Sequence, residues 1–540
     1  MISTSRSWVT AMIERRDVST ALSSRAMSAR TPLLASLVLI IGSMAPAFGS
    51  TPPDASAPQP ALTLKAQCGA PFQDNGVLQQ NMPLPVWGTS LSGAKVTVEF
   101  EAQKKTAIAA ANGSWRVVLE PLKAVPLTSV RQHPSGSAMT IACEKDGRRA
   151  IRKITNLVAG EVWICSGQSN MAGSMRTIIV KLKGGILHPD GLVKSHKLPY
   201  FPADSISSAN YPGIRQFVPE NPQPWLVCSP ETVPGFKKVA YFFGRRLFRD
   251  IKIPVGLIVA AKGGSRIEPW LVRNGQEMGA HFRKYMTPVI PYGIQGVLWY
   301  QGESNEKDGR RYLPKLRSLI TGWREAWQQP SAADAGSPQR EFPFYFVQLP
   351  GLRTSSLDNP AGSDGRAEIR QAYFDALEIK NTGMAITLDI GDVKEHPPCK
   401  IDTGVRLARL ALHNVYGRRS LVPSGPLYKS HAIEGPTVRI TFDHAQNGLM
   451  LARKKGYLPP NEVTDSPLQW LAVKSHDGSW HWAEAQIVGS ELIVSSKNVL
   501  KPVAARYAYT ANPAGVLLYN KDGLPAGPFT TCGYDPEPRD

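Results

Sequence analysis

The stretch VWICSGQSNM, residues 162–171, decides the fold that we predict for this chain. It begins as a short continuous apolar run and ends in a polar turn that contains a glycine. Such a run is typical of a strand buried on both faces in a parallel sheet. A serine in the following turn can present its hydroxyl at the sheet edge, near backbone N–H groups that open a helix. Ser169 and Asn170 also suit an ordinary helix cap, so this stretch alone does not establish a catalytic site.

The same alternation of apolar runs and helical stretches continues downstream. The further predicted strands are Val255–Ala260, Gly296–Tyr300, Phe344–Val347 and Met384–Leu388. The predicted helices are Lys237–Phe248, Tyr312–Gln328 and Thr403–Tyr416. Continuous apolar strands that alternate with helices favour an α/β domain whose parallel sheet is covered on both faces. We therefore predict an α/β domain over residues 157–420.

Two β-rich regions flank this α/β part. Residues 62–156 contain short alternating strands and the turn signal Asn112-Gly113, which indicates a small N-terminal β domain. Residues 421–540 return to short strands and predict a second, C-terminal β-rich domain. Residues 50–61 are rich in Pro, Ala and Ser and are typical of a linker.

The N-terminal 49 residues carry an export pattern. Arg25 and Arg30 precede the apolar run Leu33–Ile41, and small residues follow it. This order is typical of a secretory signal peptide, with a signal anchor as the alternative. The run is short for a membrane span, which needs about 20 residues, and no later run approaches that length. We predict a secreted or periplasmic protein with no stable membrane insertion after signal cleavage.

The composition excludes several classes of partner. The chain has 540 residues and a formal net charge of +19, but it has no basic arm, zinc-finger or RNA-binding signature. We therefore predict no nucleic-acid partner. The six cysteines are an even number, which an exported chain can pair, although Cys165 also fits a buried free thiol. Their spacing with histidine does not indicate zinc, so we predict no metal.

Polar clusters follow four of the predicted strands. They span residues 167–171, 262–266, 299–305 and 389–397. The carboxyl ends of parallel strands meet at one sheet edge, where ligands bind in open α/β folds. Each cluster has an ordinary explanation as a turn or cap, but four at successive strand ends favour a functional site. Ser, His, Asn and Glu in these clusters are the residue types that nucleophilic acyl transfer uses.

The amino-acid sequences of two of these clusters resemble motifs of a known family. GQSNM at 167–171 and WYQGESN at 299–305 resemble the sialate O-acetylesterase family of the SGNH hydrolase superfamily. Shorter stretches of sequence similar to this family occur over roughly residues 72 to 531. The resemblance implies a three-layer α/β/α, flavodoxin-like core with a parallel sheet, flanked by the N-terminal and C-terminal β-rich domains. It also implies an esterase that needs neither a metal nor an organic cofactor.

The resemblance assigns roles residue by residue. Ser169 would be the nucleophile and His396 the general base. The oxyanion hole would combine the Ser169 N–H, a glycine N–H from Gly263 or Gly264, and the Asn305 side chain. Ser265 directly after the glycine pair makes us favour Gly263. Ser169 would attack an ester carbonyl, and water would then hydrolyse the acetyl-enzyme.

The orienting acid departs from the family pattern. Many superfamily members place an aspartate three residues before the histidine, and here that position is Val393. Glu303 is our first candidate for the acid, Asp392 the second and Glu395 the third. A serine–histidine pair without a dedicated acid is the remaining alternative.

The resemblance implies O-acetylated sugar as the substrate, with sialic acid as the named class. Arg266 and Gln301 are the predicted substrate-binding residues, and Arg266 would hold a sugar carboxylate. Trp270 and Trp299 are the exposed-aromatic alternative for sugar binding, although both fit the core equally well. The competing hypotheses are an acetyl xylan or other polysaccharide esterase, a lipid or aryl esterase, and a non-catalytic carbohydrate-binding protein. An intact set of Ser169, Asn305 and His396 argues against the last of these.

Overall fold

The computed structural model describes residues 64–176, 202, 204–273, 277–329, 340–354, 356–362, 364–391 and 395–534. The predicted signal peptide and linker lie outside these residues. Leu62–Asp540 form one compact unit. Among the described residues, no helix is both long and apolar enough to cross a membrane. All six cysteines are free thiols, so none of the possible disulfides forms here.

The N-terminal region consists of short antiparallel strands that lead into one long strand. They are β1 (Gln67–Cys68), β2 (Val77–Gln79), β3 (Leu84–Thr89), β4 (Lys95–Phe100), β5 (Gln103–Ile108), β6 (Ser114–Leu119), β7 (Ser137–Lys145) and β8 (Arg148–Gly167). β3 pairs with β1 and β6, and β4 pairs with β5 and β7. The buried residues of β4 and β6 alternate with exposed ones, as expected for strands with one face on a core.

β8 connects the N-terminal strands directly to the central sheet. Its first half pairs antiparallel with β7, whereas residues 161–167 pair parallel with strands of the central sheet. Asn156, at φ 56°, lies where the pairing of β8 with β7 is irregular. The predicted boundary between residues 156 and 157 therefore falls inside one continuous strand.

The central sheet contains the predicted parallel strands. Its further strands, with two short strands outside it, are β9 (Tyr211–Phe217), β10 (Leu226–Cys228), β11 (Val255–Ala261), β12 (Val272–Arg273), β13 (Glu277–Met278), β14 (Gly296–Tyr300), β15 (Phe344–Val347) and β16 (Thr382–Ala385). The order is β10-β9-β11-β8-β14-β15-β16, and every neighbouring pair except β9–β10 is parallel. β14 and β15 are buried along their whole length, which explains their continuous apolar sequences.

The α-helices lie between these strands in the chain. They are α1 (Ser169–Ala172), α2 (Lys238–Ile251), α3 (Tyr312–Trp327), α4 (Gly365–Asp375) and α5 (Ile401–Asn414). Trp163 on β8 packs against Phe243 of α2, and Trp299 on β14 packs against Trp323 of α3. Trp163 is opposite Gly296 in the sheet register. Because Trp299 lies three residues after Gly296, it faces the other side of the sheet, so both faces receive a helix.

The C-terminal region is formed by antiparallel strands. They are β17 (Leu427–Glu434), β18 (Thr437–Asp443), β19 (Leu449–Arg453), β20 (Asn461–Glu462), β21 (Leu471–Ser475), β22 (Trp480–Trp482), β23 (Glu484–Val488), β24 (Glu491–Ser495), β25 (Pro502–Tyr507), β26 (Leu517–Asn520) and β27 (Phe529–Thr530). Arg370 of α4 joins this region to the central one, since it donates to the carbonyls of Thr510 and Ala511.

The structure confirms the coarse prediction of a mixed α/β protein and adds elements that the sequence patterns did not indicate. The predicted strand Met384–Leu388 is shifted, since β16 ends at Ala385. β9 was not predicted, because Pro212, Gly213 and Arg215 interrupt its apolar pattern. Arg215 is nevertheless buried there, where it donates to the Asn156 carbonyl at 2.6 Å.

Candidate active site

Ser169 and His396 meet at the carboxyl edge of the central sheet. Ser169 is the first residue of α1, directly after β8, and His396 lies in the segment between β16 and α5. The Ser169 Oγ is 2.8 Å from the His396 Nε2. Ser169 is half-buried and His396 is exposed, so a ligand can reach both side chains. This contact is the geometry of a nucleophile with its general base.

Gly263 lies beside Ser169. A Cβ atom added to Gly263 would lie 3.8 Å from the Ser169 Cβ, whereas one added to Gly264 would have no atom within 4 Å. Gly264 has φ +68°, which places it in the left-handed region that favours glycine. Within the described residues, the backbone N–H groups of Ser169 and Gly263 donate to no protein acceptor. They are therefore available to an oxyanion formed next to Ser169.

Asn170, next to Ser169, is buried and hydrogen-bonds to three other segments. Its Nδ2 donates to Glu303 Oε1 at 2.5 Å and to the Glu395 carbonyl at 2.9 Å. Its Oδ1 accepts a hydrogen bond from Lys400 Nζ at 2.5 Å. Asn170 therefore ties the end of β8 to the segment that carries His396. The Lys400 ammonium also lies 5.3 Å from the centre of the Tyr300 ring, which supports the buried charge.

The three candidates for the acid differ in their positions. Glu303 is buried, and its second oxygen, Oε2, has no hydrogen-bond partner among the described residues. Glu395 is exposed, and its backbone carbonyl accepts the hydrogen bond from Asn170. Asp392 and Val393 lie outside the described residues. Of the described candidates, Glu303 has the buried carboxylate connected to the histidine segment.

Asn305 does not face Ser169 with a free amide. Its Nδ2 donates to Asp308 Oδ2 at 2.6 Å and lies 3.2 Å from Glu268 Oε2. Its Oδ1 accepts from the Ile267 N–H at 2.9 Å and from Gln301 Nε2 at 2.8 Å. Its side-chain groups are thus all engaged in this arrangement. The structure differs here from the predicted oxyanion role, because two carboxylates compete for the amide hydrogens.

Gln301 also differs from its prediction. It is fully buried, so the side chain does not reach a substrate. Its Nε2 lies 3.1 Å from the Ser265 carbonyl and 3.3 Å from Gln168 Oε1, and its Oε1 accepts from Tyr312 Oη at 2.7 Å. Gln301 therefore cross-links three of the motif segments instead of binding a ligand.

Arg266 is exposed but already paired. Its Nη2 lies 3.1 Å from both Glu268 Oε1 and Asp308 Oδ1, and its Nη1 donates to the Ser304 carbonyl at 3.2 Å. Lys315 Nζ is 2.7 Å from the same two carboxylates. Burial would raise the pKa of Glu268, but hydrogen bonds from Arg266 and Lys315 outweigh it and lower the pKa to about 2. The charge of Arg266, a predicted substrate-binding residue, is therefore neutralised by protein carboxylates.

The aromatic alternative for sugar binding at the catalytic edge is wrong. Trp270 and Trp299 are both fully buried and pack edge to face at 5.9 Å. Neither ring offers an open face to a sugar. Sequence patterns do not distinguish a tryptophan in the core from one in the wall of a binding site, because both positions occur in or near a buried strand.

Residues outside the predicted set contribute to this site. Asn170 lies in the quoted motif and was read only as a possible cap, and Lys400 had no signal beyond its position four residues after His396. Their importance comes from contacts between segments more than 200 residues apart. Over the described ranges, no group of three or more His, Cys, Asp or Glu side chains is arranged to hold a metal ion.

Known proteins resemble this chain over most of its length. Residues 159–349 match the family model described as carbohydrate esterase, sialic acid-specific acetylesterase. Human sialate O-acetylesterase is 25% identical over 519 residues, which cover 87% of this chain and 93% of the human protein. The rat sialate O-acetylesterase is 25% identical over 545 residues, which cover 85% of this chain and 93% of that protein.

A solved structure gives the same result. The crystal structure of a carbohydrate acetylesterase from Xanthomonas citri matches with a TM-score of 0.69 and 28% sequence identity. The match covers 87% of this chain and 99% of that chain. The family resemblance predicted from the motifs is thereby confirmed.

Proposed function

We propose that this carboxylic ester hydrolase, a relative of the sialate O-acetylesterases, removes O-acetyl groups from carbohydrate through an acetyl-enzyme intermediate. The observation that carries the proposal is the 2.8 Å contact between Ser169 Oγ and His396 Nε2. It joins an accessible serine to a base at the edge where parallel strands end, which is where open α/β sheets bind ligands.

The reaction proceeds in two steps. His396 removes the Ser169 proton as Oγ attacks the acetyl carbonyl carbon, and the protonated imidazole then protonates the leaving sugar oxygen. The C–O bond to the sugar breaks, and the acetyl group stays on Ser169. His396 next deprotonates a water that attacks the acetyl carbon, and acetate leaves as Ser169 regains its proton. Both steps pass through a tetrahedral oxyanion.

The N–H groups of Ser169 and Gly263 stabilise that oxyanion in this proposal. Their availability and the nearness of Gly263 to the Ser169 Cβ support the assignment. A removed donor at such a site costs about 10²- to 10³-fold in kcat. Asn305 takes part indirectly, because its contact with the Ile267 N–H helps to fix the loop that follows Gly263.

Glu303 is the acid in this proposal, and it acts as a positioning residue. Its carboxylate orients Asn170, and Asn170 in turn holds the Glu395 carbonyl next to His396. Lys400 offsets the buried negative charge from the other side of Asn170. This chain of contacts connects the third motif with the histidine segment and supports a buried glutamate as the counterpart of the missing aspartate at position 393.

We expect the Glu303→Gln variant to lower kcat about 10- to 100-fold with little change in KM, because its contact with the base is indirect. The matched control is Glu395→Gln, whose backbone carbonyl is unchanged and whose kcat should stay near the parent value. A normal kcat in Glu303→Gln together with a large loss in Asp392→Asn would assign the acid to Asp392 instead.

The proposed substrate is O-acetylated sialic acid. Lys262 supports a substrate carboxylate, because it is exposed and directly precedes Gly263, although its charge also helps to lower the pKa of Glu220. The second candidate is a neutral acetylated polysaccharide such as xylan. It is favoured by Arg266, whose charge is already neutralised by Glu268 and Asp308.

Acetate release by the mature protein tests the function and the substrate class. We expect a higher kcat/KM on O-acetylated sialic acid than on acetylated xylan, and little activity on long-chain acyl esters. Lys262→Gln should lower kcat/KM for the charged sugar several-fold and leave a neutral acetyl ester unchanged. Preference for xylan would select the polysaccharide esterase, and no release from any acetyl ester would refute the proposal.

Two structural parts of the proposal accompany the chemistry. The first is the three-layer SGNH core flanked by β-rich domains, which the helices on both faces of the sheet support. The second is export to the periplasm or medium, which rests on the apolar run Leu33–Ile41 after two arginines.

A further inference from the structure

A groove lined by tryptophans lies in the C-terminal region, formed by residues that play no part in the catalytic site. Its volume is about 380 Å³, within the range of about 300–1,000 Å³ that small-ligand sites occupy. Its walls include Trp480 and Trp482 of β22, Glu484, Lys497, Asn498 and Pro360. We call it the Trp480 groove.

The two tryptophans are half-buried and held in fixed positions. The Arg506 guanidinium lies 4.2 Å from the centre of the Trp480 ring, and Arg506 is itself buried. Trp482 donates its indole N–H to the Leu357 carbonyl at 2.9 Å and packs edge to face on Trp470. Because these contacts fix both rings, they present preformed aromatic surface at little entropic cost to binding.

Three polar side chains of the lining have no partner among the described residues, whereas Ser496 and His481 of the same lining are hydrogen-bonded. Glu484, Lys497 and Asn498 are exposed, and their side chains form no hydrogen bond or ion pair with the described part of the protein. The Trp480 indole N–H likewise has no acceptor there. Aromatic faces accept the apolar C–H faces of a sugar ring, and free donors and acceptors at the rim pair with its hydroxyls. Glu484 and Lys497 are the exposed charged side chains of the lining and offset each other, while Arg506 and Lys474 contact the Trp480 ring from outside the lining. The balanced lining favours neutral sugar units.

We propose that the Trp480 groove binds neutral sugar units of the glycan that carries the acetyl ester. The inference deepens the proposed carbohydrate esterase function and rests on it for the substrate class. The groove would hold the glycan while Ser169 acts on an acetyl group of the same molecule. It therefore predicts higher efficiency on polymeric or oligomeric substrates than on small acetyl esters.

The loop before α4 links the groove to the catalytic motifs. Pro360 lines the groove and the Leu357 carbonyl holds Trp482, while Arg353 of the same loop pairs with Glu306, three residues after Glu303. Glu306 also accepts from the buried Arg366 at 2.8 Å. A ligand in the groove therefore contacts a loop that is anchored to the segment after Glu303.

Calorimetric titration of the parent protein with xylohexaose and with 3′-sialyllactose tests the groove. Before titration, Ser169 is blocked with a phosphonate to reduce binding at the catalytic serine, and the part of the binding that Trp480→Ala removes is assigned to the groove. We expect at least one probe to bind. Trp480→Ala should weaken that binding about tenfold or more, while Leu500→Ala, at an exposed apolar residue outside the groove, should not change it. Turnover of p-nitrophenyl acetate by unblocked Trp480→Ala should equal that of the parent.

A second variant tests the groove independently, in case Trp480→Ala fails to fold. Glu484→Gln combined with Asn498→Ala removes only exposed polar groups and should also weaken binding several-fold. No binding of either probe by the parent, or unchanged affinity in both groove variants, would overturn the proposal. Failure of the esterase function would appear separately, as absent turnover of every acetyl ester while sugar binding persists.

Discussion

Ser169→Ala lowers kcat/KM for acetyl esters by about 10⁴-fold or more, which is the largest functional effect that we expect from a single substitution. Removal of Oγ leaves no atom to form the acetyl-enzyme, so only the oxyanion donors and substrate binding continue to assist water attack. The variant should fold normally, since the hydroxyl contacts His396 and no other described side chain. Steady-state kinetics with purified protein and a thermal unfolding curve measure the two effects.

A nearby serine provides the matched control. Ser166 lies on β8 three residues earlier, and its buried hydroxyl has no partner among the described residues. Ser166→Ala should therefore keep the parent kcat/KM and stability. Retention of more than a few per cent of activity in Ser169→Ala would show that another group is the nucleophile.

The dependence of Ser169 on its base adds a non-additivity test. We expect Ser169→Ala with His396→Ala to be no slower than Ser169→Ala alone, because the base has no proton to remove once Oγ is gone. Independent, multiplicative losses would mean that His396 serves a different step. A competent Ser169 also reacts with a fluorophosphonate, and mass spectrometry should locate the adduct on the peptide containing residues 167–171.

The strands of the central sheet could be predicted because burial on both faces leaves a continuous apolar pattern in the local sequence. Strands buried on both faces need continuous apolar sequence, and β14 and β15 were predicted with the bounds that they have. The convergence of Ser169 and His396 also followed from the sequence, because polar residues after parallel strands share one sheet edge. Tertiary packing overrode the local pattern in β9, where Pro212 and Arg215 occupy a buried strand.

The partners of the site residues were less predictable, because they come from distant segments. Asn305 fits an oxyanion donor by its motif, yet Glu268 and Asp308 occupy its amide hydrogens. Arg266 likewise fits a ligand for a substrate carboxylate until those same two acids are seen beside it. A single sequence does not indicate which acid lies next to which amide. For that reason the contact between Ser169 and His396 could be predicted from the sequence, whereas the hydrogen-bond partners of the surrounding residues could not.

The ion pair between Arg406 and Asp389 carries the largest stability effect that we expect. Arg406 of α5 forms two parallel hydrogen bonds of 2.6 Å with Asp389, and Tyr519 of β26 donates to the same carboxylate at 3.2 Å. Arg406 also donates to the Ile386 carbonyl at 2.6 Å. The pair is buried, so it ties the end of β16, the helix after His396 and a C-terminal strand together in a low-dielectric environment.

Arg406→Met should lower the free energy of unfolding by about 3–5 kcal/mol, because it leaves the Asp389 charge buried without its counterion. Urea unfolding followed by tryptophan fluorescence measures the loss as a lower midpoint at unchanged slope. Adding Asp389→Asn to Arg406→Met should recover part of the loss, since it removes the unpaired charge. Arg439→Met is the matched control, because Arg439 pairs with Glu434 and Glu491 at the surface, and its midpoint should barely move. Equal midpoints for Arg406→Met and Arg439→Met would contradict the argument, since both arginines pair with carboxylates and only the Arg406 pair is buried.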